Sequence, residues 1–216
     1  MLKELLGFGL PLALQYMVIN FSGMVLQSTI NLQGSIFVAG YTANNKVYGL
    51  LECSAISLGF SATTFFSQNF GAKEKQRIHK GMQATIGIGI GMALIIGALM
   101  VVFGQPILRL FIDQAEMGSG EALQIAYRYL VIMCSSLIIL YLIYAYRSAL
   151  QSMGSSLPSM ISGFTECGAR ILVAKGLFAW LGQECLYFTE PIAWLGSLLW
   201  IMGSYYVLKS RYMRDL

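Results

Sequence analysis

The sequence is poor in the residues that most enzymes and soluble domains depend on. It contains a single histidine, His79, and only 11% of its 216 residues are charged. Ordinary globular domains carry about 25% charged residues, so a soluble fold of this length would leave large apolar patches in water. The lone histidine lies in a charged loop. That argues against multi-histidine metal centres and against a Ser-His-Asp or Ser-His pair inside an apolar segment, and so against an intramembrane enzyme. The four cysteines, Cys53, Cys134, Cys167 and Cys185, form no CxxC pair. They read as small packing residues rather than a disulfide framework or a metal site. The net charge of +4 has no basic stripe behind it outside one short loop, so nucleic acid is not an expected partner.

What the sequence does have is apolar length. Apolar residues make up 56% of the chain and the mean hydropathy is +0.66. That excludes disorder and leaves the lipid bilayer as the solvent. A membrane helix needs roughly 20 mostly apolar residues. Six segments qualify, at about 8–38, 46–70, 82–110, 122–147, 157–180 and 188–208. The expected fold is all-α, a polytopic membrane protein with residues 1–216 forming one six-helix transmembrane bundle. Pro11 is expected to open the first helix, where its missing N–H costs little. That segment has no small-residue cleavage site after a short apolar core, so it reads as an uncleaved span. In the third segment Gly87 and Gly91 form a GxxxG spacing suited to close helix contact.

Six crossings place both termini and the loops near 71–81 and 148–157 on one side. That side holds Lys3, Lys73, Lys75, Arg77, Lys80, Arg147, Lys209, Arg211 and Arg214, nine of the 14 cations. The other side holds Lys46, Lys175, Arg109 and Arg128, with Asp113, Glu116, Glu121, Glu184 and Glu190. The positive-inside rule then makes both termini cytoplasmic. The basic loop GAKEKQRIHKG is read as that topology signal rather than an interfacial lipid-binding helix. Trp180, Tyr187, Trp200, Tyr205 and Tyr206 are expected near span ends, as an aromatic belt.

Function in such a chain is sought among polar residues at depth, because each needs a partner or a water-filled cavity. Tyr16, Asn20, Met24, Gln27 and Asn31 recur at spacings of four and three, which puts them on one helix face. They either hydrogen-bond across helices or line a polar path for an organic solute. Glu52 lies roughly 9 Å inward from Lys46 at about 1.5 Å rise per residue and has no basic residue at i±4. Such a carboxylate either pairs with a neighbour or takes up a proton, which makes Glu52 the preferred coupling residue. Glu166 and Arg170 stand at i and i+4, the favourable order for a buried ion pair. Tyr141 and Tyr144 are candidates to stack a cationic solute, with aromatic packing as the simpler reading.

Several strings carry a family resemblance. GLPLALQYMVINF with INLQGSIFVAGYTANNKV, the loop QNFGAKEKQRIHKG, the loop YRSALQSMGSSLPSMISG and the last helix EPIAWLGSLLW together resemble multidrug and toxic compound extrusion (MATE) transporters. The matching positions are Gly9, Pro11, Gln68, Asn69, Gly71, Ala72, Arg77, Gly81, Arg147, Gln151 and Gly154. The resemblance implies one half, the second bundle, of a twelve-helix secondary active transporter in the cell (inner) membrane. Such a carrier exports small organic, cationic compounds by antiport against sodium or protons, with no other cofactor. It also implies that a missing N-terminal half, or a second copy of the chain, completes the carrier. Where several relatives place an acid in the first helix of this half, this sequence has Ile19 and Asn20. Where they place one in the fourth, it has only Glu121 and Tyr127 at the edge, so no sodium site is expected at those two places. The alternatives are a lipid-linked oligosaccharide flippase of the same wider fold, for which Arg170 would be the lone cavity cation, and a truncated, non-transporting fragment.

Overall fold

The computed structural model describes residues 2–112 and 118–215. Asp113 and Glu116, counted above on the less basic side, lie outside the described residues, as do the side chains of Arg211 and Arg214. Eight α-helices account for most of the rest: α1 (Leu2–Ile30), α2 (Ser35–Gly71), α3 (Lys75–Arg109), α4 (Ser119–Ser135), α5 (Leu137–Ser152), α6 (Leu157–Ile171), α7 (Phe178–Leu181) and α8 (Thr189–Asp215). A 3-10 turn, Asn31–Gln33, extends α1, and a π-helical stretch, Leu172–Leu177, joins α6 to α7.

Three stretches, Leu5–Gln33, Ser35–Gly71 and Lys75–Arg109, are each long and apolar enough to cross a bilayer. The helices α4 and α5 make a fourth crossing, bent by 48° at Ser136. The hydroxyls of Ser135 and Ser136 donate back to the carbonyls of Val131 and Ile132, a local competition that bends helices. The stretch Leu157–Ser210 runs for 54 residues. A single helix of that length would measure about 80 Å, far beyond the roughly 30 Å of hydrocarbon. It turns instead at Gly182, whose φ of +61° suits glycine, and α8 packs back along α6, so it makes two passes. The described residues therefore form a six-pass helical bundle.

Several boundaries differ from the sequence reading. The first helix does not run on to residue 38, because Gly34 at φ +95° breaks the chain and residues 35–38 already belong to α2. Pro11 does not open α1 but sits inside it, where it removes one intrahelical hydrogen bond. The fourth expected helix, 122–147, is the bent pair, and the fifth, 157–180, contains the π stretch.

Helices in lipid gain little from apolar contact alone, so small residues set which pairs approach closely. A Cβ on Gly40 would stand 2.7 Å from the Ala122 carbonyl oxygen, and one on Gly97 3.3 Å from that of Cys134. Gly104 and Gly89 abut Leu130 and Leu58. Gly87 and Gly91 have nothing within 4 Å, so the expected GxxxG face is not a contact face. The glycines that pack fall on the opposite side of α3. Of the expected aromatic belt, Trp180, Trp200 and Tyr206 are exposed, but Tyr187 and Tyr205 are buried in side-chain packing.

The main core joins α2, α3, α4, α5 and α8 around Val47, Ala55, Leu130, Leu137, Ile143 and Ile201. The helix α1 stands apart from it. It packs along α6 and scarcely touches α2, which leaves an opening between the first two crossings. The Nζ of Lys209 lies 3.2 Å from Nδ1 of His79, so the start of α3 and the end of α8 share one end of the bundle. With Lys73, Lys75, Arg77 and Lys80 beside them, this is the basic end.

Candidate functional site

The opening between α1 and α2 leads into a cavity of about 600 Å³. Tyr16, Asn20, Met24 and Gln27 line it from α1, and Tyr48 and Glu52 from α2. Tyr144 and Arg147 come from α5, Glu166 and Arg170 from α6, and Glu190 and Trp194 from α8. A groove of about 680 Å³ on the flank, between Arg109 of α3 and Arg128 of α4, is larger, but no carboxylate lines it. Volume alone does not single out the site; convergent polar groups do.

The cavity floor is an ion network. Arg170 donates from Nη2 to Glu166 Oε1 at 2.9 Å and to Glu190 Oε2 at 2.7 Å. Its Nη1 donates to Ser22 Oγ at 2.7 Å and to the Ile19 carbonyl at 3.2 Å, fastening α6 to α1. Arg147 donates from Nη2 to Glu166 Oε2 and to Ser197 Oγ, both at 3.0 Å, and from Nε to Ser162 Oγ at 3.0 Å. Each oxygen of Glu166 thus serves a different arginine. Buried charges persist only when paired and hydrogen-bonded in this way.

Glu52 stands outside the network. Tyr144 Oη donates to its Oε1 at 3.3 Å, and no cation among the described residues pairs with it. Two arginines and three carboxylates therefore share one cavity. Arg147 and Arg170 balance Glu166 and Glu190. An ionised Glu52 leaves one net negative charge. Tyr48 and Trp194, stacked at 5.7 Å and 24°, form an aromatic wall between the Glu52 and Glu190 levels. An acidic group beside π faces can hold an organic cation.

The sequence candidates fall in several places. Tyr16, Asn20, Gln27, Glu52 and Tyr144 line the cavity, and Glu166 and Arg170 form the expected close pair. Asn31 does not line it; it lies in the 3-10 turn and accepts from Gln27 Nε2 at 2.8 Å. Tyr141 is not a stacking residue either. It is buried in the core and hydrogen-bonds Ser54, on the opposite side of α2 from Glu52. Of the motif positions, Asn69 is buried near the end of α2, and its side chain donates to the Phe65 carbonyl at 2.7 Å. Gln68, Gly71 and Arg77 are exposed at the basic end, and Gly154 takes φ +77° in the turn after α5.

Arg147 and Glu190 were missed as site residues. The sequence reading gave Arg147 to a basic loop and Glu190 to the less basic side. Arg147 instead lies inside α5, five residues before its end, and Glu190 turns inward from the first turn of α8. Arg170 is therefore not the lone cavity cation.

The pattern of the MatE family matches residues 11–174. Over 212 residues the chain is 30% identical to the Bacillus subtilis (strain 168) protein named "Probable multidrug resistance protein YoeA", covering 95% of this chain and 44% of that one. It superposes on a MATE crystal structure in a bent conformation with a TM-score of 0.85, covering 99% and 48% of the two chains at 15% identity. A Vibrio cholerae MATE transporter, VcmN, gives a TM-score of 0.80 over 100% and 47% at 18% identity. A MOP superfamily transporter from Pyrococcus furiosus gives 0.74 over 92% and 43% at 15% identity. The chain thus spans a little under half the length of the relatives it matches.

Proposed function

Since the chain belongs to the MatE family, we propose that it is one bundle of a secondary active exporter of small organic cations. The name of the Bacillus relative, a multidrug resistance protein, supports this class of activity. The single observation that carries the reading is the unpaired Glu52 in an aromatic-walled cavity whose other charges cancel. A cation of the right size can settle against Tyr16, Tyr48, Tyr144 and Trp194 and satisfy that carboxylate. A proton or sodium ion satisfies the same carboxylate, so the two cargoes exclude one another and exchange. The Arg147–Glu166–Arg170–Glu190 network holds α1, α5, α6 and α8 in register around this exchange point.

The lateral opening between α1 and α2 requires a neighbour. A first bundle or a second copy of this chain would turn the polar face of α1 toward water rather than hydrocarbon. In the cell membrane the basic end, with both termini, faces the cytoplasm by the positive-inside rule. A flippase for lipid-linked anionic sugars fits less well, since both cavity arginines are already paired to carboxylates. The test is accumulation of ethidium in efflux-deficient cells expressing the chain with its neighbouring half. Lower accumulation that depends on the ion gradient supports the reading. Accumulation equal to that of empty cells, from protein that is folded and in the membrane, sinks it.

A further inference from the structure

Below the cavity, toward the basic end, a second and much smaller hollow of about 30 Å³ lies between α1, α2 and α5. It shares Tyr16, Ile56, Tyr144 and Arg147 with the main cavity, so these four side chains form the partition between the two. Its remaining lining is largely polar, with Gln15, Thr63, Ser148 and Gln151. Thr63 Oγ1 donates to the Gly59 carbonyl at 2.9 Å, and Ser148 Oγ to the same carbonyl at 2.8 Å, leaving both hydroxyl oxygens free to accept. The side-chain amide of Gln151 has no protein partner among the described residues, and Gln151 is one residue from the end of α5. A hollow needs about 10–15 Å³ of probe volume and two to four polar partners to hold a water. This one meets both requirements. It is too small for any organic solute.

We propose that this crevice is a water-filled proton exit, leading from Glu52 through the Tyr144 hydroxyl to the basic end. The proposal rests on the reading of Glu52 as the exchange carboxylate and assigns the proton as its ion. The transfer is balanced. The O–H bond of protonated Glu52 breaks as the phenolic oxygen of Tyr144 gains that proton. The phenol's own proton passes to the crevice water, which hands it on past Thr63 and Gln151. Glu52 is left as a carboxylate, again accepting from Tyr144. Its other titratable or charged neighbours around the cavity are Tyr16 of α1, Tyr41 and Tyr48 of its own helix, Arg147 of α5, Glu166 and Arg170 of α6, and Glu190 of α8. None of them lies between Tyr144 and Gln151 except Tyr16 and Arg147, which belong to the partition. Organic cation and proton thus part company at Tyr144: the cation stays on the cavity side, while the proton continues through a water-sized gap.

The test uses the full chain in lipid vesicles oriented with the basic end facing the lumen. Protons are released from a caged acid trapped inside, and the carboxylic-acid infrared band is followed in time. The expected band is lost in Glu52→Gln. In Thr63→Leu, which fills the crevice, and Gln151→Leu, which removes its rim amide, the band should rise roughly tenfold more slowly, about 1.4 kcal/mol in barrier. Acid mixed in from outside should protonate both variants as fast as wild type. Equal lumenal rates in wild type and in both folded variants would overturn the exit. A band that survives Glu52→Gln would instead overturn the role of Glu52 itself.

Discussion

Arg147 and Glu166 meet at 3.0 Å between α5 and α6, and the other oxygen of Glu166 is held by Arg170. One carboxylate thus satisfies two guanidinium groups that are nearly fully buried. Replacing Glu166 by Gln would leave both arginines short of charge compensation. The expected cost is about 3–5 kcal/mol, read as a drop in thermal unfolding temperature in detergent. Arg170→Met should cost a similar amount, since it strands Glu190 and half of Glu166. Wild-type stability in both variants would contradict the network.

The Arg128–Glu184 pair offers the contrast. It is bidentate but half exposed on both sides, with Arg128 also lying 4.6 Å over the Tyr187 ring. Exposed pairs contribute at most about 1 kcal/mol. Arg128→Gln should therefore shift the same unfolding measurement far less than Glu166→Gln, and added salt should shrink the Arg128→Gln shift further.

Close packing gives a second test. Gly40→Ala places a methyl 2.7 Å from a backbone oxygen of α4 and should destabilise by about 1–3 kcal/mol. Gly87→Ala and Gly91→Ala meet open space and should be neutral, or stabilising by up to about 1 kcal/mol through helix propensity. The reverse ranking in a thermal melt would contradict both the close α2–α4 approach at Gly40 and the open face of α3 at Gly87 and Gly91.

Orientation and completion can be read by cysteine chemistry in a background freed of Cys53, Cys134, Cys167 and Cys185. Glu74→Cys should react with an impermeant maleimide only from the cytoplasm and Glu121→Cys only from outside. A cysteine at Gln27, on the open face of α1, should crosslink in native membranes to the neighbouring bundle. Labelling of both positions from one side would remove the six-pass topology, and absence of any crosslink would remove the partner.

Much of this fold was legible because bilayer length and hydropathy leave few choices, and the Glu166–Arg170 pair followed from helix spacing alone. The turn at Gly182 falls in the gap between the fifth and sixth expected segments, but the first expected segment runs through Gly34 to residue 38 because Leu32, Ile36, Phe37 and Val38 keep that stretch apolar. Arg147 and Glu190 escaped for a different reason. The partner of Arg147, Glu166, is 19 residues away and that of Glu190, Arg170, is 20 residues away, and no local period encodes pairings made where three helices meet. Tyr141 and Tyr144 are three residues apart on one helix face. Whether each meets core or cavity depends on which side of α2 it passes, a tertiary fact.

If Glu52 exchanges an organic cation for a small one, calorimetry on the purified chain in nanodiscs registers the exchange. Tetraphenylphosphonium is titrated in two buffers of different ionisation enthalpy, and again at two sodium concentrations. Binding to wild type is expected to release a proton or compete with sodium. Glu52→Gln should lose that linkage and bind roughly tenfold or more weakly, a change of about 1.4 kcal/mol or more. Unchanged affinity and unchanged linkage in a folded Glu52→Gln chain would contradict the exchange.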